Sequence, residues 1–172
     1  TNTFSANGVV MIDPQVTKRI VTADGQQLGI PMPPNAFKFD LIDENGTVVA
    51  SAYNDADGNV RFGGAGDQAA LKALTFDETD IGTHTYTIQE DPNYNHDPNY
   101  LYDDTVVTVT VEISRDAENP ALLVAELTYS GGSLNEEGVA SEFVNTYYPI
   151  ILRVQKTSKD GSNDPLVGAI YG

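Results

Sequence analysis

The stretch from Thr105 to Ile113 constrains the fold more than any other. Val107, Val109, Val111 and Ile113 occupy every second position, with Thr108, Thr110 and Glu112 between them. Successive side chains of a strand point to opposite faces, so this spacing makes a half-buried β-strand and denies a helix any coherent apolar stripe. The same period recurs elsewhere. Phe37, Phe39 and Leu41 share a face within Ala36 to Asp43, and Leu123, Ala125, Leu127 and Tyr129 share another. Gln15 to Thr22, Thr47 to Tyr53, His84 to Glu90 and Val139 to Tyr148 complete the expected strands. Beside them stand Asp24-Gly25, Asn45-Gly46 and Asp57-Gly58, the chemistry of turns that need positive φ. Only Asp67 to Leu74 carries a helical pattern. Many strands, Gly-rich turns and one short helix in a connection predict an all-β fold, an antiparallel β-sandwich, with a closed barrel as the alternative.

At 172 residues the chain suits one domain and a fragment of a second. The boundary is expected near Tyr147-Tyr148-Pro149, so that residues 1–149 form the sandwich domain, with its core at about 14–148. A new strand pattern begins at Ile151 and runs to Lys156, followed by polar turn residues from Thr157 to Asn163. Residues 150–172 are too few for a domain and read as a linker and the opening of the next one. No apolar run is long enough to span a bilayer, no signal peptide or sorting tail is present, and the first residue is Thr. The expectation is a piece cut from a longer protein.

Charge and composition exclude several functions. With 25 acidic and 9 basic residues the formal charge is −16, opposite to what a nucleic-acid backbone or an anionic membrane surface attracts. Without cysteine there is no disulfide, thiol nucleophile or Cys-ligated metal. His84 and His96 have no recognisable Ser or Asp motif around them, so a turnover enzyme is not expected. Asp55, Asp57 and Asn59 look like a calcium loop, but placing Gly58 at the loop glycine puts Tyr53 at the first ligand and Gly64 at the last. No cofactor and no metal is expected. Residues 91–102 contain D-P-N-Y twice and read as a turn-rich connector. The rival reading makes this loop an adhesion site, with Tyr94 and Tyr100 gripping a host protein or glycan.

Three strands break their own alternation. Val16, Lys18 and Ile20 share a face, as do Tyr86, Ile88 and Glu90, and Phe143, Asn145 and Tyr147. Each strand thus sets one polar residue among large apolar neighbours. Taken singly, each has a plainer explanation: a lysine that snorkels, a solvated glutamate before Asp91-Pro92, an asparagine bonded to backbone. Taken together they offer a second reading beside the plain one, a reaction between the three side chains. Burial lowers a lysine pKa and raises a glutamate pKa, which favours a neutral amine beside a protonated acid. The amine of Lys18 is then a nucleophile and Cγ of Asn145 an electrophile. Glu90, bonded to the carboxamide oxygen, would polarise it and pass protons while ammonia leaves. Lys38 and Lys72 are poorer candidates, since Lys38 points away from Phe37 and Phe39 and Lys72 lies on the helix.

These residues carry a resemblance. V-T-K-R-I around Lys18, A-F-K-F-D-L around Phe37 to Leu41, D-A-D-G-N-V-R-F from Asp55, H-T-Y-T-I-Q-E ending at Glu90, Y-D at Tyr102-Asp103 and E-F-V-N-T-Y from Glu142 follow in order. The chain resembles the streptococcal pilin isopeptide-linkage domain of major pilins and Gram-positive adhesin stalks. The resemblance implies an immunoglobulin-like sandwich whose first and last strands are tied by an isopeptide bond, with the family's lysine at Lys18, its acid at Glu90 and its asparagine at Asn145. It also implies an extracellular, wall-anchored setting, with adjacent domains of the same polypeptide or pilus as partners. The tail from Leu152 to Tyr171 resembles the start of a collagen-binding-protein B-type domain, with that family's lysine at Lys156 and its P-L-x-G-A turn at Pro165 to Ala169. The partners that Lys156 would need are not in this sequence, so it is expected to stay unreacted here.

Overall fold

A computed structural model describes residues 2–5, 8–63 and 68–149. The expected second module and Lys156 lie outside the described residues. In chain order the strands are β1 (Asn2–Ser5), β2 (Val9–Met11), β3 (Gln15–Thr22), β4 (Lys38–Ile42), β5 (Val48–Tyr53), β6 (Asn59–Arg61), β7 (Thr75–Asp77), β8 (Gly82–Glu90), β9 (Tyr100–Leu101), β10 (Val107–Arg115), β11 (Leu123–Ser130) and β12 (Glu142–Tyr147). One short helix, α1 (Gln68–Ala73), sits between β6 and β7, where the helical pattern stands in the sequence.

A six-stranded sheet runs in the order β1-β11-β10-β8-β4-β5 and faces a four-stranded sheet ordered β6-β3-β12-β9; β2 and β7 pair separately. This is the β-sandwich that the alternation predicts. Val107, Val109, Val111 and Ile113 of β10 are all fully buried, and so are Phe39 and Leu41 of β4. Burying such a side chain contributes roughly 1.5–3 kcal/mol, which is why one face of each long strand can hold the sheets together. The two sheets meet where Phe39 of β4 and Phe143 of β12 approach with ring centroids 5.1 Å apart.

One pair departs from the expected antiparallel arrangement. β3 and β12 run parallel, with Lys18 opposite Phe143 and Asn145 opposite Ile20. Alternation dictates which face a residue occupies but says nothing of strand direction, so the sequence carries no sign of it. The consequence is polar. The chain enters the four-stranded sheet at one end of β3 and leaves it at the opposite end of β12.

Candidate cross-linking site

Lys18, Glu90 and Asn145 come together between the sheets. β3 and β12 present the lysine and the asparagine from the four-stranded sheet. Glu90, the last residue of β8, comes from the six-stranded sheet, where it stands opposite Phe39. All three are buried: Lys18 is 3% exposed, Glu90 7% and Asn145 0%.

Glu90 bridges the other two. Its Oε1 accepts from Lys18 Nζ at 2.8 Å, and its Oε2 accepts from Asn145 Nδ2 at 2.9 Å. Two ions out of water carry a penalty of several kcal/mol each unless paired, so the contact is required for either to be there. Burial pulls Lys18 down to about 8, with the attraction of Glu90 and, more weakly, Asp103 holding back a larger fall. Burial pushes Glu90 up, against the pull of Lys18 and the hydrogen bond from Asn145. Both shifts favour moving a proton from the amine to the acid.

The asparagine is oriented differently from the sequence expectation. Glu90 touches the carboxamide nitrogen, not the oxygen. Asn145 Oδ1 instead accepts from the backbone N–H of Asp103 at 2.8 Å. The physical reason is satisfaction: an acceptor-only carboxylate suits the NH₂ group, and the buried oxygen needs a donor. Glu90 therefore sits beside the carboxamide nitrogen.

The surroundings were not legible as site residues. Phe37 lies with its ring centroid 4.7 Å from Lys18 Nζ, an apolar and cation–π cover for the amine. Tyr100 and Tyr102 pack edgewise on Phe37 at 5.6 and 6.4 Å. Tyr100 also meets Tyr147 at 5.5 Å, and His96 stacks on Tyr102 at 5.3 Å. Tyr100 and Tyr102, at the end of the 91–102 loop, thus cover Phe37 beside the site. The turn before β6 buttresses it from below: Lys18 N donates to Gly58 O at 2.7 Å, and a Cβ on Gly58 would lie 2.2 Å from Lys18 O. Asp55, which suggested a calcium loop, caps that turn by accepting from Asp57 N at 2.9 Å and Asn59 N at 2.8 Å. Among the described residues the other two lysines stand apart from the site: Lys38 pairs with Asp40 at 3.6 Å and Asp91 at 3.7 Å, and Lys72 is exposed on α1. Phe37, Gly58 and Tyr102-Asp103 all stand in the motifs of the resemblance, but nothing in the motifs marked them as neighbours of Lys18 and Asn145.

The fold and the site together define a two-sheet sandwich domain with a lysine, an acid and an asparagine hydrogen-bonded between the sheets. Residues 14–148 match the family model FctA, described as the Spy0128-like isopeptide containing domain, and the chain belongs to that family. Among solved structures it is similar to the major pilin of Streptococcus pyogenes, with 15% identity over 78% of this chain and 50% of that one, at a TM-score of 0.46. It is also similar to the T-13 major pilin of Streptococcus pyogenes, with 20% identity over 89% of this chain and 58% of that one, at a TM-score of 0.45. The chain thus spans little more than half the length of these pilins. No curated protein matches it. Among the described residues no helix is long and apolar enough to cross a membrane.

Proposed function

We propose that this domain is a stalk or shaft module of a wall-anchored Gram-positive pilus or adhesin, and that it closes one intramolecular amide between Lys18 and Asn145. The observation that carries the reading is Glu90, buried and hydrogen-bonded at once to the nucleophilic amine and to the leaving nitrogen. The proton first passes from Lys18 Nζ to Glu90. The neutral amine attacks Cγ of Asn145, forming a C–N bond and moving the carbonyl electron pair onto Oδ1. Glu90 returns its proton to Nδ2 and takes one from Nζ. The Cγ–Nδ2 bond then breaks, ammonia departs, and the carbonyl re-forms in a secondary amide. Every proton is accounted for within the chain, so the step is a single turnover with no cofactor. Held groups of this kind reach effective molarities on the order of 10⁵ M or more.

The mechanical use follows from the strand directions. A pull on the two ends of the domain shears β3 against β12, and an amide between them would carry that load past the chain in between. The module would work in series with adjacent domains of its own polypeptide or pilus, outside the cell, anchored through a region beyond this sequence. Of the two tyrosines on which the adhesive reading of the 91–102 loop rests, Tyr100 packs on Phe37 and Tyr147, and Tyr94 on Tyr53.

Intact mass tests the proposal. The native chain should weigh one ammonia less than its sequence, and Lys18→Ala or Glu90→Ala should restore the full value. A native mass without the deficit removes the reading.

A further inference from the structure

The carboxamide oxygen must take up negative charge when the amine attacks, and Glu90 faces the other end of that group. We infer that the connection between β9 and β10 supplies the oxyanion donor for the cross-linking step through the backbone N–H of Asp103, and that the Asp103 carboxylate is the positioning group for it. The inference rests on the cross-linking reading above.

The geometry is a clamp. Asp103 N donates to Asn145 Oδ1 at 2.8 Å, while Asp103 Oδ2 accepts from Val144 N at 2.7 Å. Asp103 Oδ1 accepts from Thr105 N at 2.9 Å. One residue is therefore tied to two successive residues of β12 and to its own connection. β9 pairs with β12 only at Tyr100–Tyr147 and Leu101–Thr146. Where that ladder stops, the Asp103 carboxylate stands in as acceptor for the next available N–H of β12. The donor is thus aimed at Oδ1 before reaction and needs no reorganisation as charge develops. Deleting one such donor elsewhere slows acyl transfer by on the order of 10²–10³-fold.

The test uses the full chain made by pulsed cell-free synthesis, with loss of ammonia followed by intact mass across a range of pH. Replacing the residue-103 amide with an ester, through the matching α-hydroxy acid, deletes the N–H and keeps the side chain. The expected result is a cross-linking plateau lower by roughly 10²-fold, with both limbs of the pH profile unmoved. Asp103→Asn, which keeps one acceptor, should fall between the native chain and Asp103→Ala. An ester variant that cross-links at the native rate overturns the inference. So does a loss explained wholly by an alkaline limb shifted toward ordinary lysine, since that is the mark of water entering a loosened pocket. A native chain that never loses ammonia removes the cross-linking reading itself, which separates the two failures.

Discussion

Lys18 and Asn145 are not cross-strand partners: in the parallel β3–β12 ladder Lys18 stands opposite Phe143 and Asn145 opposite Ile20. The two side chains lie diagonally on one face, and Glu90 from the facing sheet meets both. A diagonal pair on adjacent strands is within reach of a long side chain. Lys18 supplies that length, and burial keeps it from turning to solvent.

Glu90→Gln separates chemistry from shape. The amide is close to the carboxylate in size, yet it cannot take the amine proton. The variant should fold to a β-rich form with the full sequence mass. It should lose about 4–5 kcal/mol of stability, the value of a long-loop covalent tie in the chain-entropy model, plus the cost of a buried amine without its ionic partner. Urea unfolding against the native chain measures this; equal midpoints would mean that no covalent tie stabilises the native form.

Force should distinguish the same two proteins more sharply. Held at residues 14 and 148, the native domain should give no extension corresponding to the chain between Lys18 and Asn145. Glu90→Gln should release that length in one event, because only noncovalent contacts then resist the shear of β3 against β12. Single-molecule pulling reads the contour length directly.

The unreacted state should carry a pH signature. Asn145→Ala cannot close the bond but retains Lys18 and Glu90. The folded lysine titrates at about 8 against 10.5 for the free group, so between those values the unfolded chain holds more protons and stability rises with pH. The gain should be on the order of 1–3 kcal/mol. Glu90 has the opposite sign at lower pH: its raised value lets the folded form keep a proton that the unfolded chain loses above 4.5, so stability falls as pH climbs through that window. Urea midpoints from pH 4 to 10, compared with the Asn145→Ala/Lys18→Met double variant, isolate the lysine contribution. A flat difference between pH 8 and 10 would mean that the amine is solvated.

Gly58→Ala should damage the site from outside it. Gly58 has φ +84°, and a new Cβ would collide with the carbonyl oxygen of Lys18. The strain and the displaced β3 backbone should cost more than about 1 kcal/mol and slow cross-linking. Gly25→Ala is the control. Its φ is also +84°, but its Cβ meets nothing within 4 Å, so stability should fall with no change in cross-linking rate.

Much of this protein can be read from its residues in order. β3, β4, β5, β8, β10, β11 and β12 each lie close to an apolar period of two, because each buries one face against the opposite sheet. Lys18, Glu90 and Asn145 stand out for the same reason, as polar side chains two positions from buried apolar ones. β2, β6, β7 and β9 run to two or three residues each and are too short to display a period. They exist because a neighbouring strand offers its edge. The parallel run of β3 and β12, the turn of the Asn145 amide toward Glu90, the N–H of Asp103 and the carbonyl that Gly58 must clear were decided by the tertiary structure alone. Alternation assigns a residue to a face; it assigns neither a neighbour nor a direction, and a backbone donor leaves no mark in the side-chain pattern.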